Sequence, residues 1–181
     1  MSERMTLVAG VGYHDLRDLS FGPRLIERMA EEAWPPDVEF QDLSYGPLAV
    51  VQWLQDEPGR FERMILAGAV ERGRAPGSLV IYPWLPGELR AEEVQGRVAE
   101  AVTGVVGLDN LLIIAQWFGV LPADSWVIEL EPVELEWGTE PSPAGAARVE
   151  ETVTWVRHNL ETRPGTRRNG HGLSAVGVGD R

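Results

Sequence analysis

The stretch from Met5 to Met29 constrains this chain more than any other. It opens on the apolar run Thr6-Leu7-Val8-Ala9 and breaks at Gly10-Val11-Gly12. It then passes through the polar turn Tyr13-His14-Asp15-Leu16-Arg17-Asp18 and resumes at Phe21-Gly22-Pro23-Arg24, which leads into Leu25-Ile26-Glu27-Arg28-Met29. A short apolar run, a glycine break and a helical period make a strand–loop–helix unit. In open α/β sheets the loop after such a strand lies at its carboxyl end, where ligands bind.

The rest of the chain repeats the alternation. Leu25, Ile26, Met29, Ala30 and Ala33 recur at helical spacing, and Trp34-Pro35-Pro36 ends that helix. Val38 to Asp42 reads as a short alternating strand. Pro47 suits the first position of a helix carrying Leu48, Val51, Trp53 and Leu54. Phe61 to Val70 reads as a buried strand. Ser78 to Tyr82 reads as another, too close to its predecessor for a helical crossover, so antiparallel pairing is expected. Ala91 to Val102 is a helix weakened by Gly96. Gly107 to Val120 is apolar nearly all round and is predicted to be buried on most sides. Trp126-Val127-Ile128 begins the last strand, and Pro132 to Pro141 is an acidic loop. Ser142-Pro143 then caps and opens a final helix with Val149, Val153, Val156 and Leu160 on one face. The pattern predicts a three-layer α/β/α sandwich around a mostly parallel, mixed sheet. Residues 1–161 read as a single domain. Residues 162–181 carry five glycines and no periodicity, and read as a flexible or disordered tail.

Charge narrows the partners. A formal net charge of −12 and a pI near 4.7 argue against nucleic acid and against an anionic membrane surface. They suit a soluble protein, or one that meets a basic segment of another chain. The absence of cysteine excludes disulfides and thiolate metal sites. No run resembles a signal peptide and none approaches the roughly 20 apolar residues of a membrane span, so a cytoplasmic protein without membrane insertion is expected.

The first loop invites two chemical readings. A dinucleotide fingerprint needs a third glycine or small residue where Asp15 stands, and an acidic loop repels pyrophosphate. The glycines are therefore read as permitting a tight strand exit. His14, Asp15 and Asp18 gather nitrogen and carboxylate donors that suit zinc or nickel. Their spacing fits no sequence-local metal site, and a solvated polar loop is the simpler reading. His158 sits in the last helical turn, where a cation offsets the dipole. No serine or cysteine has the setting of a nucleophile.

Together these pieces resemble the hydrogenase maturation endopeptidases. Gly10-Val11-Gly12 with Asp18, Gly22 and Arg24 is similar to that family's opening block, and Asp42 followed by Gly46 sits at its second loop. Ala75-Pro76-Gly77-Ser78 matches its A-P-G-[ST] turn, and Gly107-Leu108 opens its G-L helix. Pro132, Leu135-Glu136-Trp137-Gly138 and Ser142-Pro143 resemble its exit into the last helix. The resemblance implies a five-stranded α/β/α fold and a partner, the precursor large subunit of a nickel–iron hydrogenase. Family members sense nickel in that precursor and then remove its C-terminal peptide.

The resemblance also implies three ligands: a first-loop acid, an aspartate ending the third strand and a histidine before the G-L helix. Here these positions fall on Leu19, Gly68 and Gly104, none of which carries a donor. The expectation is a family member that binds the precursor, or another assembly factor, without the standard nickel-dependent proteolysis. It would have no metal ligands and no cofactor of its own, and would meet nickel only through the hydrogenase partner. Asp18 and Asp42 are expected to line the substrate cleft and accept hydrogen bonds from a peptide. The alternative is an active endopeptidase with a rearranged site using Asp18 and His14, with Asp15, Glu71 and Asp109 as further nearby donors. An unrelated α/β small-molecule enzyme is a third reading.

Overall fold

Alternation along the strands decides which helix covers which face. The structure is a computed structural model that describes residues 5–162. Its strands are β1 (Met5–Val11), β2 (Val38–Asp42), β3 (Phe61–Ala69), β4 (Leu79–Pro83) and β5 (Asp124–Leu130). They form one five-stranded sheet in the order β2-β1-β3-β5-β4, parallel except for β4, which pairs antiparallel with β5. The helices are α1 (Phe21–Ala30), α2 (Pro47–Asp56), α3 (Ala91–Val102), α4 (Leu108–Trp117) and α5 (Pro143–Glu161), with a 3-10 turn over Arg17–Ser20 before α1.

Leu7, Ala9 and Val11 of β1, with Met64 and Leu66 of β3, face α2 and α4. Val8, Ile65, Ala67 and Ile128 point the other way, onto Leu25 and Met29 of α1 and Val153 and Val156 of α5. A parallel sheet covered on both faces reads as continuous apolar runs for this reason. The three-layer, mixed-sheet architecture is the one the sequence pattern predicts.

Three elements differ in detail. The fourth strand lies one residue later than expected and ends on Pro83, which an edge strand tolerates because no ladder N–H is required there. The predicted 107–120 helix is shorter: Gly107 is its N-cap, and Gly119, at φ +67°, follows its end in a conformation that favours glycine. Its last turn is also less enclosed than the pattern suggests, since Trp117 and Phe118 are both about half exposed. Helix α1 begins at Phe21 rather than near Leu25, placing Phe21, Leu25 and Met29 on one buried stripe. Ser142 caps α5 as expected, accepting from the Gly145 N–H at 2.9 Å. The predicted tail falls on residues 163–181, outside the described residues. Among the described residues no helix is long and apolar enough to cross a membrane.

The glycines of the opening unit serve backbone packing. A Cβ on Gly10 would stand 2.1 Å from the Gly22 carbonyl oxygen. One on Gly22 would stand 2.4 Å from the Val11 nitrogen and 2.7 Å from the Ala67 oxygen. The amino end of α1 thus lies directly on the carboxyl half of β1 and β3. Gly22→Ala is expected to destabilise by at least the upper end of the about 1–3 kcal/mol that overpacking costs, because the obstructing atoms are backbone. Chemical denaturation of the variant measures it; an unchanged midpoint would show that this contact can relax.

Candidate functional site

The loop after β1 is a hub, and its buried anchor is Asp18. Asp18 is 1% exposed, and its carboxylate takes four hydrogen bonds from its own chain. Oδ2 accepts from the N–H groups of Val133 (2.9 Å) and Glu134 (3.1 Å) and from Ser142 Oγ (2.8 Å). Oδ1 accepts from the Ser142 N–H at 2.8 Å. Burial pushes this carboxyl upward, but the Ser142 hydroxyl and the three N–H groups outweigh it and hold Asp18 below the ordinary carboxylate range. The expectation that Asp18 lines the cleft and accepts from a bound peptide is therefore corrected: its acceptor positions are spent on tying the β5–α5 loop to the first loop. The same geometry removes it from the rearranged site that paired it with His14. The residue type is right for a carboxylate, but its side chain faces inward.

His14 turns elsewhere. Its Nε2 lies 3.0 Å from Asp42 Oδ2 at the carboxyl end of β2, and its side chain is 57% exposed. The Ser44 N–H donates to Asp42 Oδ1 at 3.0 Å, so the carboxylate is fixed while its His14-facing oxygen remains at the surface. Tyr13 reaches a third element, its hydroxyl accepting from the Val106 N–H at 3.2 Å. His14, Asp15 and Asp18 do not converge, and among the described residues no three His, Asp or Glu side chains are placed to hold one ion.

The three positions where the resemblance places ligands border this same mouth. The Leu19 carbonyl accepts from the Tyr13 N–H at 3.2 Å. Gly68 sits on the rung Val11–Gly68–Glu129 across β1, β3 and β5. A Cβ on Gly68 would stand 2.9 Å from the Val11 oxygen and 3.1 Å from Leu108 Cβ, so the start of α4 has closed onto this strand end. Gly104, at φ +92°, has open space around it and belongs to the loop that Tyr13 holds.

On the strand beside Gly68 stands a carboxylate that sequence reasoning missed. Glu129 is fully buried, on the face covered by α4. Arg72 Nη2 donates to its Oε1 at 2.7 Å, as does the Tyr82 hydroxyl at 2.8 Å, and Arg74 Nη1 ion-pairs with Oε2 at 2.7 Å. Arg72 also grips Asp109, in the first turn of α4, through two hydrogen bonds of 2.6 and 2.8 Å. The N–H groups of Arg72 and Gly73 donate to Glu131. Burial raises the Glu129 carboxyl, but Arg72, Tyr82 and Arg74 together bring it below its ordinary value. Burial and the Glu129 hydrogen bond push the Tyr82 phenol up. A lone Glu inside the apolar strand Trp126-Val127-Ile128-Glu129-Leu130 was the available signal, because a buried acid requires partners.

A curated relative, the hydrogenase expression/formation protein HupD of Rhodobacter capsulatus, is 30% identical over 148 residues. That match covers 80% of this chain and 65% of HupD, so the chain spans less than two thirds of its relative's length. The crystal structure of a hydrogenase 2 maturation peptidase from a Thaumarchaeota archaeon superposes with a TM-score of 0.62 at 28% identity. That superposition covers 88% of this chain and all of the other. The chain is similar in sequence and in fold to the hydrogenase maturation proteases. The maturating endopeptidase HybD of E. coli shares the fold, with a TM-score of 0.64 at 23% identity over 87% of this chain and 92% of HybD. No family model matches the chain.

Within the maturation protease scaffold, then, the mouth of the sheet is built differently from the pattern the resemblance implies. The residues at its three ligand positions do not fit a metal: leucine and glycine supply no donor atom, and at Gly68 the backbone of β1 and Leu108 leave no room for a carboxylate. What the arrangement supplies instead is a neutralised carboxylate–guanidinium network below and an exposed His14–Asp42 pair above.

Proposed function

We propose that this chain is a member of the maturation protease family that binds the precursor large subunit of a nickel–iron hydrogenase, or another hydrogenase assembly factor, without the nickel-dependent cleavage of its C-terminal peptide. One observation carries the reading: at the strand end Gly68 offers neither a side-chain donor nor the space for one, and the adjacent carboxylate, Glu129, is already neutralised by Arg72 and Arg74. The scaffold that surrounds this mouth is retained from β1 to α5. Its likeness to HupD supports the hydrogenase connection.

The test is co-expression with a nickel–iron hydrogenase large-subunit precursor, with and without nickel. The expected result is a complex that survives size-exclusion chromatography while the mass of the precursor stays unchanged. Nickel-dependent loss of the C-terminal peptide would overturn it.

A second reading keeps proteolysis, on the strength of the His14–Asp42 contact. A carboxylate that orients an exposed imidazole is the arrangement a general base requires. Under that reading cleavage occurs and His14→Ala lowers it about 100-fold or more, within the range that a positioned base contributes. The mass of the precursor separates the two readings directly.

A further inference from the structure

We infer that the Pro132–Pro141 loop is a preformed docking surface for an extended, basic and apolar segment of a partner protein. The inference rests on the reading of this chain as a binding member of its family, and adds where the contact is made and with what chemistry.

The loop runs Val133-Glu134-Leu135-Glu136-Trp137, apolar and acidic residues in strict alternation. Its apolar members are not folded inward: Val133 is 44%, Leu135 40% and Trp137 79% exposed. A free loop would let such side chains collapse onto the body, yet this one is pinned on both sides of the Leu135–Trp137 stretch. The N–H groups of Val133 and Glu134 are held by the buried Asp18 carboxylate. The Asp18 N–H donates to the Glu134 oxygen at 3.1 Å. Gly138 is bracketed on both sides, its oxygen accepting from the Arg17 N–H at 3.0 Å and its N–H donating to the Asp15 oxygen at 2.9 Å. An indole held out in water on a rigid backbone loses little further conformational freedom on binding. That is what distinguishes an interface anchor from a floppy surface aromatic.

Charge selects the occupant. Glu134 and Glu136 both face Arg17, at 2.9 and 4.0 Å, so one cation is shared by two acids. Glu140 makes no ion pair among the described residues. The surplus is negative, on a chain that is itself strongly acidic. A segment with Arg or Lys beside apolar residues completes both the charge and the alternation; an acidic segment or nucleic acid is repelled. Tyr45, on the loop after β2, and Val105, on the loop after α3, are also exposed.

The test uses the full chain, uniformly labelled with nitrogen-15, with the Trp137 indole resonance identified by Trp137→Phe. Three synthetic hexapeptides are titrated: alternating Leu-Arg, alternating Leu-Glu and alternating Ser-Arg. The Leu-Arg peptide is expected to shift the Trp137 indole and the Val133 and Glu134 amide resonances saturably, and Leu135→Ser with Trp137→Ser, followed on those two amides, to weaken that binding about tenfold. No shift with Leu-Arg, or an equal shift with Leu-Glu, with Ser-Arg or with neutral phosphatidylcholine vesicles, overturns the inference. Both substituted side chains are exposed, so the variants keep the fold. Capture of the hydrogenase precursor is scored separately. If the peptide binds and the precursor does not, the proposed function falls and the docking surface stands. If the precursor binds the Leu135→Ser, Trp137→Ser variant as well as it binds the natural chain, the surface falls and the proposed function stands.

Discussion

Asp18→Ala is expected to destabilise this protein by about 4–6 kcal/mol, most of the margin of an ordinary domain. The estimate follows from what the carboxylate holds. Removing it orphans three backbone N–H groups and the Ser142 hydroxyl, and hydrogen bonds to a charged acceptor are worth about 1.5–3 kcal/mol each before water re-enters. Asp18→Asn is the sharper probe. The amide keeps the size but turns one acceptor into a donor that faces other donors, so it should lose about half as much. Urea denaturation of both variants measures the effect; a loss under about 1 kcal/mol for Asp18→Ala would show that water replaces the carboxylate.

The pH dependence follows with a definite sign. The folded carboxyl lies below its ordinary value, so its contribution is fully present above the unfolded range near about 4 and is lost as pH falls through the lowered folded value. Asp18→Asn should flatten the acid limb of the stability curve. Because Asp18 also carries the Pro132–Pro141 loop, hydrogen exchange at Val133 and Glu134 should rise in either variant before the core is affected.

Glu129→Ala is the second large effect, expected at about 3–5 kcal/mol, the usual cost of removing one partner from a buried ionic cluster. Arg72 keeps Asp109, but Arg74 and the Tyr82 hydroxyl lose the buried acceptor they share. Replacing Glu129 together with its partners by apolar residues should cost far less, because the desolvation of the cluster disappears with it. A spectrophotometric titration adds a local readout: in Glu129→Gln the Tyr82 phenol should ionise at lower pH, since the nearby negative charge that opposes ionisation is gone. If thermal unfolding and the tyrosine titration both stay unchanged in the variants, the cluster does not hold the mouth of the sheet. Like Asp18, Glu129 has a lowered folded pKa, so its support too is lost as pH falls.

The two carboxylates also show where sequence reading stops. Asp18 was legible as a motif residue, and the resemblance placed it in a cleft. Its partners, Val133, Glu134 and Ser142, lie more than a hundred positions away, and only their approach turns the side chain inward. Glu129 escaped notice because its strand reads as apolar and its arginines come from the loop after β3. His14 and Asp42 were each named, but their meeting at the ends of adjacent parallel strands depends on the β1–β2 register, Gly10 opposite Asp42. Gly10 reads from sequence as permitting a tight strand exit; its backbone contact with Gly22 shows that close packing, not the turn alone, requires both glycines.

By itself the sequence determined the order of strands and helices, the two covered faces of the sheet, the cap at Ser142 and the absence of side-chain donor atoms at Leu19, Gly68 and Gly104. Periods of 2 and 3.6 and the chemistry of a single side chain are local properties, and they survive without neighbours. Only the tertiary structure decided which charges meet: Asp18 with the β5–α5 loop, Glu129 with Arg72 and Arg74, His14 with Asp42. A buried carboxylate is stable only beside donors, and those donors are delivered by elements far away in the chain once the sheet has set their positions.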